Sequence, residues 1–225
     1  PPVTSGSMNS DFLLLLPVLL FSVVVHEVGH AWVALREGDN TAHALGRITL
    51  NPVAHLDLWG SLIIPLLLFY SSGFVFGWAK PVPVDPRNFR TPVASDIKVS
   101  LAGIVSNLAL AAIFTLLAVI FGKLQFALDG GAGALGILIQ LCRFGVFINL
   151  ILAFFNLIPI PPLDGSHVLF HLLPGRVALR YREMGRYGIL VLMGIMILFP
   201  SVFYVLLWPV FVIMGLADSL IDLWI

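Results

Sequence analysis

Two histidines four residues apart, with a glutamate between them, stand inside an apolar run as His26-Glu27-Val28-Gly29-His30. On a helix, positions i and i+4 share a face, so both imidazoles can reach one zinc ion. Glu27 then puts a carboxylate beside that ion, where it can take a proton from water. The setting sharpens the pattern, because residues 12–35 carry no charge except Glu27. Ionisable groups at bilayer depth are costly and mark functional sites by default, the competing reading being a polar cluster that packs helices together. A catalytic zinc keeps three protein ligands and one open position. The third ligand is offered by Asp164, in Asn156-Leu157-Ile158-Pro159-Ile160-Pro161-Pro162-Leu163-Asp164-Gly165, where prolines end a long apolar run and deliver a carboxylate just beyond it.

The elements that must position these groups are membrane helices. The chain has 225 residues, 59% hydrophobic and 11% charged, against roughly 25% charged in a soluble domain. Twelve basic residues balance twelve acidic ones, which leaves no electrostatic footprint for nucleic acid. Cys142 is the single cysteine, so no intramolecular disulfide can form. Residues 12–35, 99–122 and 130–163, the last broken only by Arg143, each exceed the roughly 20 residues that a spanning helix needs. Residues 58–79 are long enough but contain Gly60, Pro65 and Ser71-Ser72-Gly73, so they either span or dip and return. Residues 187–217 contain Pro200 and Pro209 and read as a hairpin broken near Pro200. The alternating prolines of Lys80-Pro81-Val82-Pro83-Val84-Asp85-Pro86 call for an extended connector, and residues 41–50 for a short edge strand. Residues 1–7 read as a cloning scar ahead of Met8, and residues 8–225 as one integral membrane domain.

The fold class expected is therefore an all-α, polytopic helical bundle. It has core helices over about 11–35, 97–122 and 134–157, a re-entrant region with short β elements within 39–92, and a C-terminal helical hairpin within 186–223.

With both motifs in this order, the chain resembles the site-2 protease family of intramembrane zinc metalloproteases, in its short bacterial branch without PDZ or CBS domains. Asn51-Pro52-Val53-Ala54-His55-Leu56-Asp57 and Gly77-Trp78-Ala79-Lys80-Pro81-Val82-Pro83 look like connectors of that branch. The resemblance implies one zinc per chain held by His26, His30 and Asp164, with Glu27 as the catalytic base. It implies cleavage of peptide bonds in or near transmembrane segments of other membrane proteins. A third family element falls on Ala102-Gly103-Ile104-Val105-Ser106-Asn107, without the proline often found after the glycine. Asn107 is carried over as a holder of substrate backbone or oxyanion, an interhelical hydrogen bond being the alternative. Substrate selection is left to the membrane core, its loops or a separate regulatory or adaptor protein.

One metal shared by His30 and Asp164 requires an even number of crossings between Arg36 and Asp164, so residues 58–79 should re-enter rather than span. That assignment puts Arg36, Arg47, Lys80, Arg87, Arg90, Lys98, Arg176, Arg180, Arg182 and Arg186 on one side, with Lys123 on the other. The positive-inside rule makes the crowded side cytoplasmic, in a bacterial inner membrane. His167 and His171, again four apart, read as solvated interfacial histidines, with His167 also a candidate alternative ligand. His55 is a candidate gate or inhibitory ligand, a loop-fixing hydrogen bond being the plainer reading. Arg143 needs a carboxylate, carbonyl or water partner, or must snorkel. A metal-binding membrane protein without protease activity, such as a transporter or binder, is the alternative function. A peptidase clipping prenylated termini is disfavoured, because its third ligand is commonly a glutamate.

Overall fold

A computed structural model of the protein describes residues 5–72, 80–128 and 133–223. Among the described residues, four helices are long and apolar enough to cross a membrane: Leu15–Glu37, Pro92–Ala127, Ala134–Leu157 and Tyr204–Asp222. The first lies within α1 (Ser5–Glu37), the next two are α4 and α5, and the last lies within α9 (Pro200–Asp222). Between them stand α2 (Thr41–Ala44), α3 (Ile64–Ser72), α6 (Gly165–Leu172), α7 (Gly175–Met184) and α8 (Gly188–Leu198). The chain is an all-α, polytopic membrane protein.

Helix α4 is longer than the 97–122 expected. Pro92 supplies a first-turn residue that needs no hydrogen-bond donor, so the helix starts before Asp96 and Lys98 and runs on past Lys123. Helix α5 ends at Leu157 because Pro159 forces Ile158 into extended geometry, φ −60° and ψ 127°. Helices α1, α4 and α5 form the core, and α9 packs along α5 in the opposite direction. Its Leu207 and Val210 meet Ala111, Val146 and Leu150, whereas Ile221 meets Ala118, Ile139 and Cys142. The end of α9 therefore lies at the far end of the bundle from Asp164. The expected break before Pro200 falls at Phe199, and α8, with 11 residues, is only about 16 Å long.

No strand forms among the described residues, so the edge strand expected over 41–50 is not observed. Asp39, fully buried just after α1, accepts hydrogen bonds from both the backbone N–H and the hydroxyl of Thr41, and this bends the chain into the turn of α2. The same carboxylate accepts from Asp85 N–H at 2.7 Å and Asn88 Nδ2 at 2.9 Å, tying the exit of α1 to the connector that returns at residues 80–91. Burial works to raise the Asp39 carboxyl, and these donors outweigh it and hold it below the usual range. Gly38 makes the turn possible with φ +113°, a conformation that L side chains rarely adopt.

Asp57 opens a π-helical turn, Leu58–Ile63, by accepting from Gly60 N–H at 2.7 Å, and α3 continues it. The re-entrant path expected over 58–79 includes residues 73–79, which lie outside the described residues. The flanks of the segment meet: Lys80 N–H donates to His55 O at 2.9 Å, and the Arg47 guanidinium bonds the carbonyls of both Ala54 and Lys80. From Lys80 to Asp85 the chain forms neither helix nor strand, is extended at Asp85, and lies over α1 with Val82 packed on Ala31 and Val84 near Ala34.

Arg143 resolves into an ion cluster, its guanidinium bonding Asp218 at 3.1 Å and also Asp222, both on α9. Replacing Arg143 by Met leaves two acids without their cation at the far end of an apolar bundle. The Arg143→Met protein should lose roughly 1–3 kcal/mol, discounted for partial exposure. Thermal unfolding in detergent reads the loss, and adding Asp218→Asn and Asp222→Asn should restore most of it.

Candidate metal centre

His26 and His30 lie on the face of α1 turned toward α4, and two glycines allow that approach. A Cβ on Gly103 would stand 2.5 Å from His30 Nε2 and 2.5 Å from His26 Cε1, and one on Gly29 would stand 2.4 Å from Ser106 Oγ. Close backbone approach through small residues is how membrane helices pack without a hydrophobic driving force. Asp164 reaches the same point from the end of α5. A Cβ on Gly165 would fall 2.2 Å from Leu157 O, so only glycine lets the loop turn back tightly enough to start α6 there. Asn156 is back-bonded to Leu152 O within its own helix.

The three ligand atoms converge. His26 Nε2 and His30 Nε2 are 3.0 Å apart and lie 3.2 and 3.3 Å from Asp164 Oδ2. A tetrahedral zinc with bonds of about 2.0–2.1 Å sets its ligand atoms roughly 3.3 Å apart, so the trio has the size of one face of that tetrahedron.

Hydrogen bonding explains why these contacts are not ordinary ones. His30 Nδ1 faces Val99 O at 2.7 Å, and a carbonyl only accepts, so Nδ1 carries the proton. His26 Nδ1 faces Asn107 Oδ1 at 2.6 Å. The orientation of that amide follows from its other end, where Nδ2 donates to Ser22 O at 3.2 Å and to Asn149 Oδ1 at 2.8 Å. Asn149 is oriented in turn, since its Nδ2 donates to Gly145 O and to Ser22 Oγ, each at 2.8 Å. His26 Nδ1 must therefore be the donor. Both Nε2 atoms are left with lone pairs pointing at each other and at a carboxylate. Asp164 Oδ2, buried, has no hydrogen bond of acceptable geometry there. Three converging lone pairs with no proton between them fit a cation, and imidazole with carboxylate suits zinc.

Glu27, partly buried on the neighbouring face of α1, accepts Val82 N–H at 2.7 Å from the extended connector. Asn107 is fully buried, and its amide bonds His26 and Ser22 on α1 and Asn149 on α5 in the network just described. The structure does not bring His55 or His167 into the trio. His55 is buried and its Nε2–H donates to Thr49 O at 2.9 Å. His167 Nδ1 and His171 Nε2 both face Asp96 Oδ2, at 3.3 and 2.7 Å, and the Asp96 carboxylate raises the His167 pKa. Ser22, Asn149 and Asp96 carry no signal in the sequence, whereas Gly103 belongs to the glycine-to-asparagine stretch that ends at Asn107.

The model of peptidase family M50 matches residues 14–200. The chain belongs to peptidase family M50. It is 38% identical over 201 residues to the Bacillus subtilis protein named "Putative zinc metalloprotease YwhC", covering 88% of this chain and 87% of that one. It is 32% identical over 159 residues to the Mycolicibacterium smegmatis protein named "Putative zinc metalloprotease Rip2", covering 70% of this chain and 56% of that one. A Methanocaldococcus jannaschii protein named as a zinc metalloprotease in the same way, MJ0611, is 41% identical over 85 residues, 37% of each chain. No solved structure matches the chain significantly. Zinc is the metal in the names of these relatives, and the donor set of His26, His30 and Asp164 fits it.

Loss of an outer hydrogen bond to a metal-bound histidine costs about 10–100-fold in affinity. Asn107→Leu and Asn149→Leu should each weaken zinc binding on that scale, and Gly103→Ala should do so by pushing a methyl group into the ligand pair. Competition with a chelator, followed by counting zinc per chain, measures all three.

Proposed function

We propose that this M50 member is an intramembrane zinc endopeptidase that hydrolyses peptide bonds in or near transmembrane segments of membrane proteins, in regulated intramembrane proteolysis. His26, His30 and Asp164 hold the metal and Glu27 is the catalytic base. The observation that carries this reading is the convergence of two Nε2 lone pairs and one carboxylate oxygen, with both Nδ1 atoms tied to α4. When bound, zinc supplies a Lewis acid that polarises a peptide carbonyl and lowers the pKa of water toward about 7. Glu27 takes the proton of the attacking water and passes it to the leaving amine. For this its carboxylate must exchange the Val82 N–H for water. A substrate helix has its carbonyls locked, so the segment must unwind before its backbone reaches Glu27, and the extended connector at residues 80–85 offers backbone groups to clamp it.

The meeting of Lys80 with His55 supports a re-entrant path for residues 58–79, since a segment that leaves and returns at one level makes no net crossing. Helices α4 and α5 then supply the even number of crossings that a shared metal demands. The ten basic residues at the metal end support a cytoplasmic orientation in a bacterial inner membrane. A separate regulatory or adaptor protein is the expected source of substrate selection.

Purified full-length chain in detergent, with a model transmembrane peptide, tests this. Wild type should hold one zinc and cleave the peptide until chelator is added. Glu27→Gln should keep the zinc and lose cleavage, and Asp164→Asn should lose both. Zinc binding without cleavage by the wild type across several peptides would favour a metal-binding protein without protease activity.

A further inference from the structure

We propose that the outer face of α7 docks the headgroups of anionic phospholipids in the leaflet at the metal end of the bundle. The position of the helix is the first argument. Helix α7 follows the end of α5 by way of α6, and Tyr181 on it donates to Pro159 O at 3.0 Å, in the loop that carries Asp164. Ala178 is its buried contact. The helix is thus held where a spanning helix leaves the hydrocarbon, at the level of the headgroups.

Charge is the second argument. Four arginines, Arg176, Arg180, Arg182 and Arg186, stand against one acid, Glu183, within residues 175–186. Arg182 and Arg186 stack on Phe170 and Tyr187, with the guanidinium 5.7 and 5.0 Å from the ring centres. Arg176 and Arg180, one turn apart and on the side away from Ala178, make no hydrogen bond or ion pair through their side chains among the described residues. By contrast, Arg47 is spent on backbone carbonyls, Arg87 on Asp85 and Lys98 on Glu37. Arg176 and Arg180 are therefore cations that the fold itself does not use. A guanidinium is the side chain suited to bidentate contact with phosphate.

The apolar rows beside them complete the pattern. Val177 and Met184, 51% and 57% exposed, flank the arginines on one side and Leu179 flanks them on the other. An apolar border around a cationic strip suits a surface whose phosphates lie just above acyl chains. An acidic protein or free phosphate would match the charge and leave the apolar rows in water.

The test uses the full chain in neutral detergent, titrated with short-chain phosphatidylglycerol, short-chain phosphatidylcholine or inorganic phosphate, with bound lipid counted by native mass spectrometry. Phosphatidylglycerol should bind well above phosphatidylcholine, and phosphate should not displace it. R176Q/R180Q should weaken phosphatidylglycerol roughly 30-fold, from the usual increment per basic residue at an anionic surface. R176K/R180K, which keeps both charges, should retain most of the binding and shows that the helix is intact. Equal binding of the two lipids, displacement by phosphate, or full retention by R176Q/R180Q overturns the proposal. So does loss of binding in R176K/R180K equal to that in R176Q/R180Q.

Discussion

Two imidazole nitrogens inside a membrane bundle must be kept free of protons, and the rest of the structure is arranged around that constraint. A histidine in an apolar span would otherwise satisfy itself by whichever tautomer finds a partner. Here the choice is removed at the opposite ring atom, because Val99 O and Asn107 Oδ1 accept from Nδ1 and leave Nε2 outward. Val99 O is available only because α4 passes close to α1, which Gly29 and Gly103 permit. Asn107 holds its orientation only because α5 contributes Asn149, whose own amide is set by Gly145 O. A proton position on α1 is thus decided two helices away, through amides that are each fully satisfied. Such networks are rigid when complete and costly when one member is missing.

The connector between α1 and α4 solves a different problem, that of holding irregular backbone beside a polar site. Among the described residues, several of its donors and acceptors are taken up locally. Asp39 takes the N–H of Asp85, Glu27 takes that of Val82, and His55 takes that of Lys80, while Arg47 occupies carbonyls on both flanks of residues 58–79. Pro81 and Pro83 have no donor to satisfy, so the outward edge of the extended stretch carries no unpaired N–H at those positions. Backbone outside helices is tolerated at membrane depth only where it is buried in protein or lines a polar cavity, and these contacts provide such a setting.

Much of this was legible in the residues, and the boundary of legibility is physical. His26, Glu27, His30 and Asp164 announce themselves because charge and imidazole are conspicuous in an apolar chain, and the three core helices follow from apolar runs broken by no more than one charge each. The break before Pro200 and the end of α5 follow from proline geometry. Residues 41–50 misled because Thr41, His43 and Arg47 alternate with apolar neighbours, whereas the deciding contact comes from Asp39, which lies before the stretch. Asn149 and Ser22 were invisible because a small polar residue in a span looks the same whether it bonds its own helix, as Asn156 does, or orients a neighbour. The partners of Arg143 lie 75 and 79 residues away along the chain, beyond any local pattern.

The seat of the Asp164 loop has a bearing on which changes the chain can absorb. On one side Gly165 abuts Leu157 O, and on the other Gly188 abuts the carbonyl of Pro161, where a Cβ would stand 1.6 Å away. Both contacts are main chain against main chain, so no rotamer takes part in them. The aliphatic residues around the loop, Ile158, Leu163 and Leu192, can drift in shape and leave the carboxylate at the same height. The two glycines have no such latitude. The ligand behaves as though mounted on a hard stop, indifferent to the identity of its padding and intolerant of a single methyl group at either jaw.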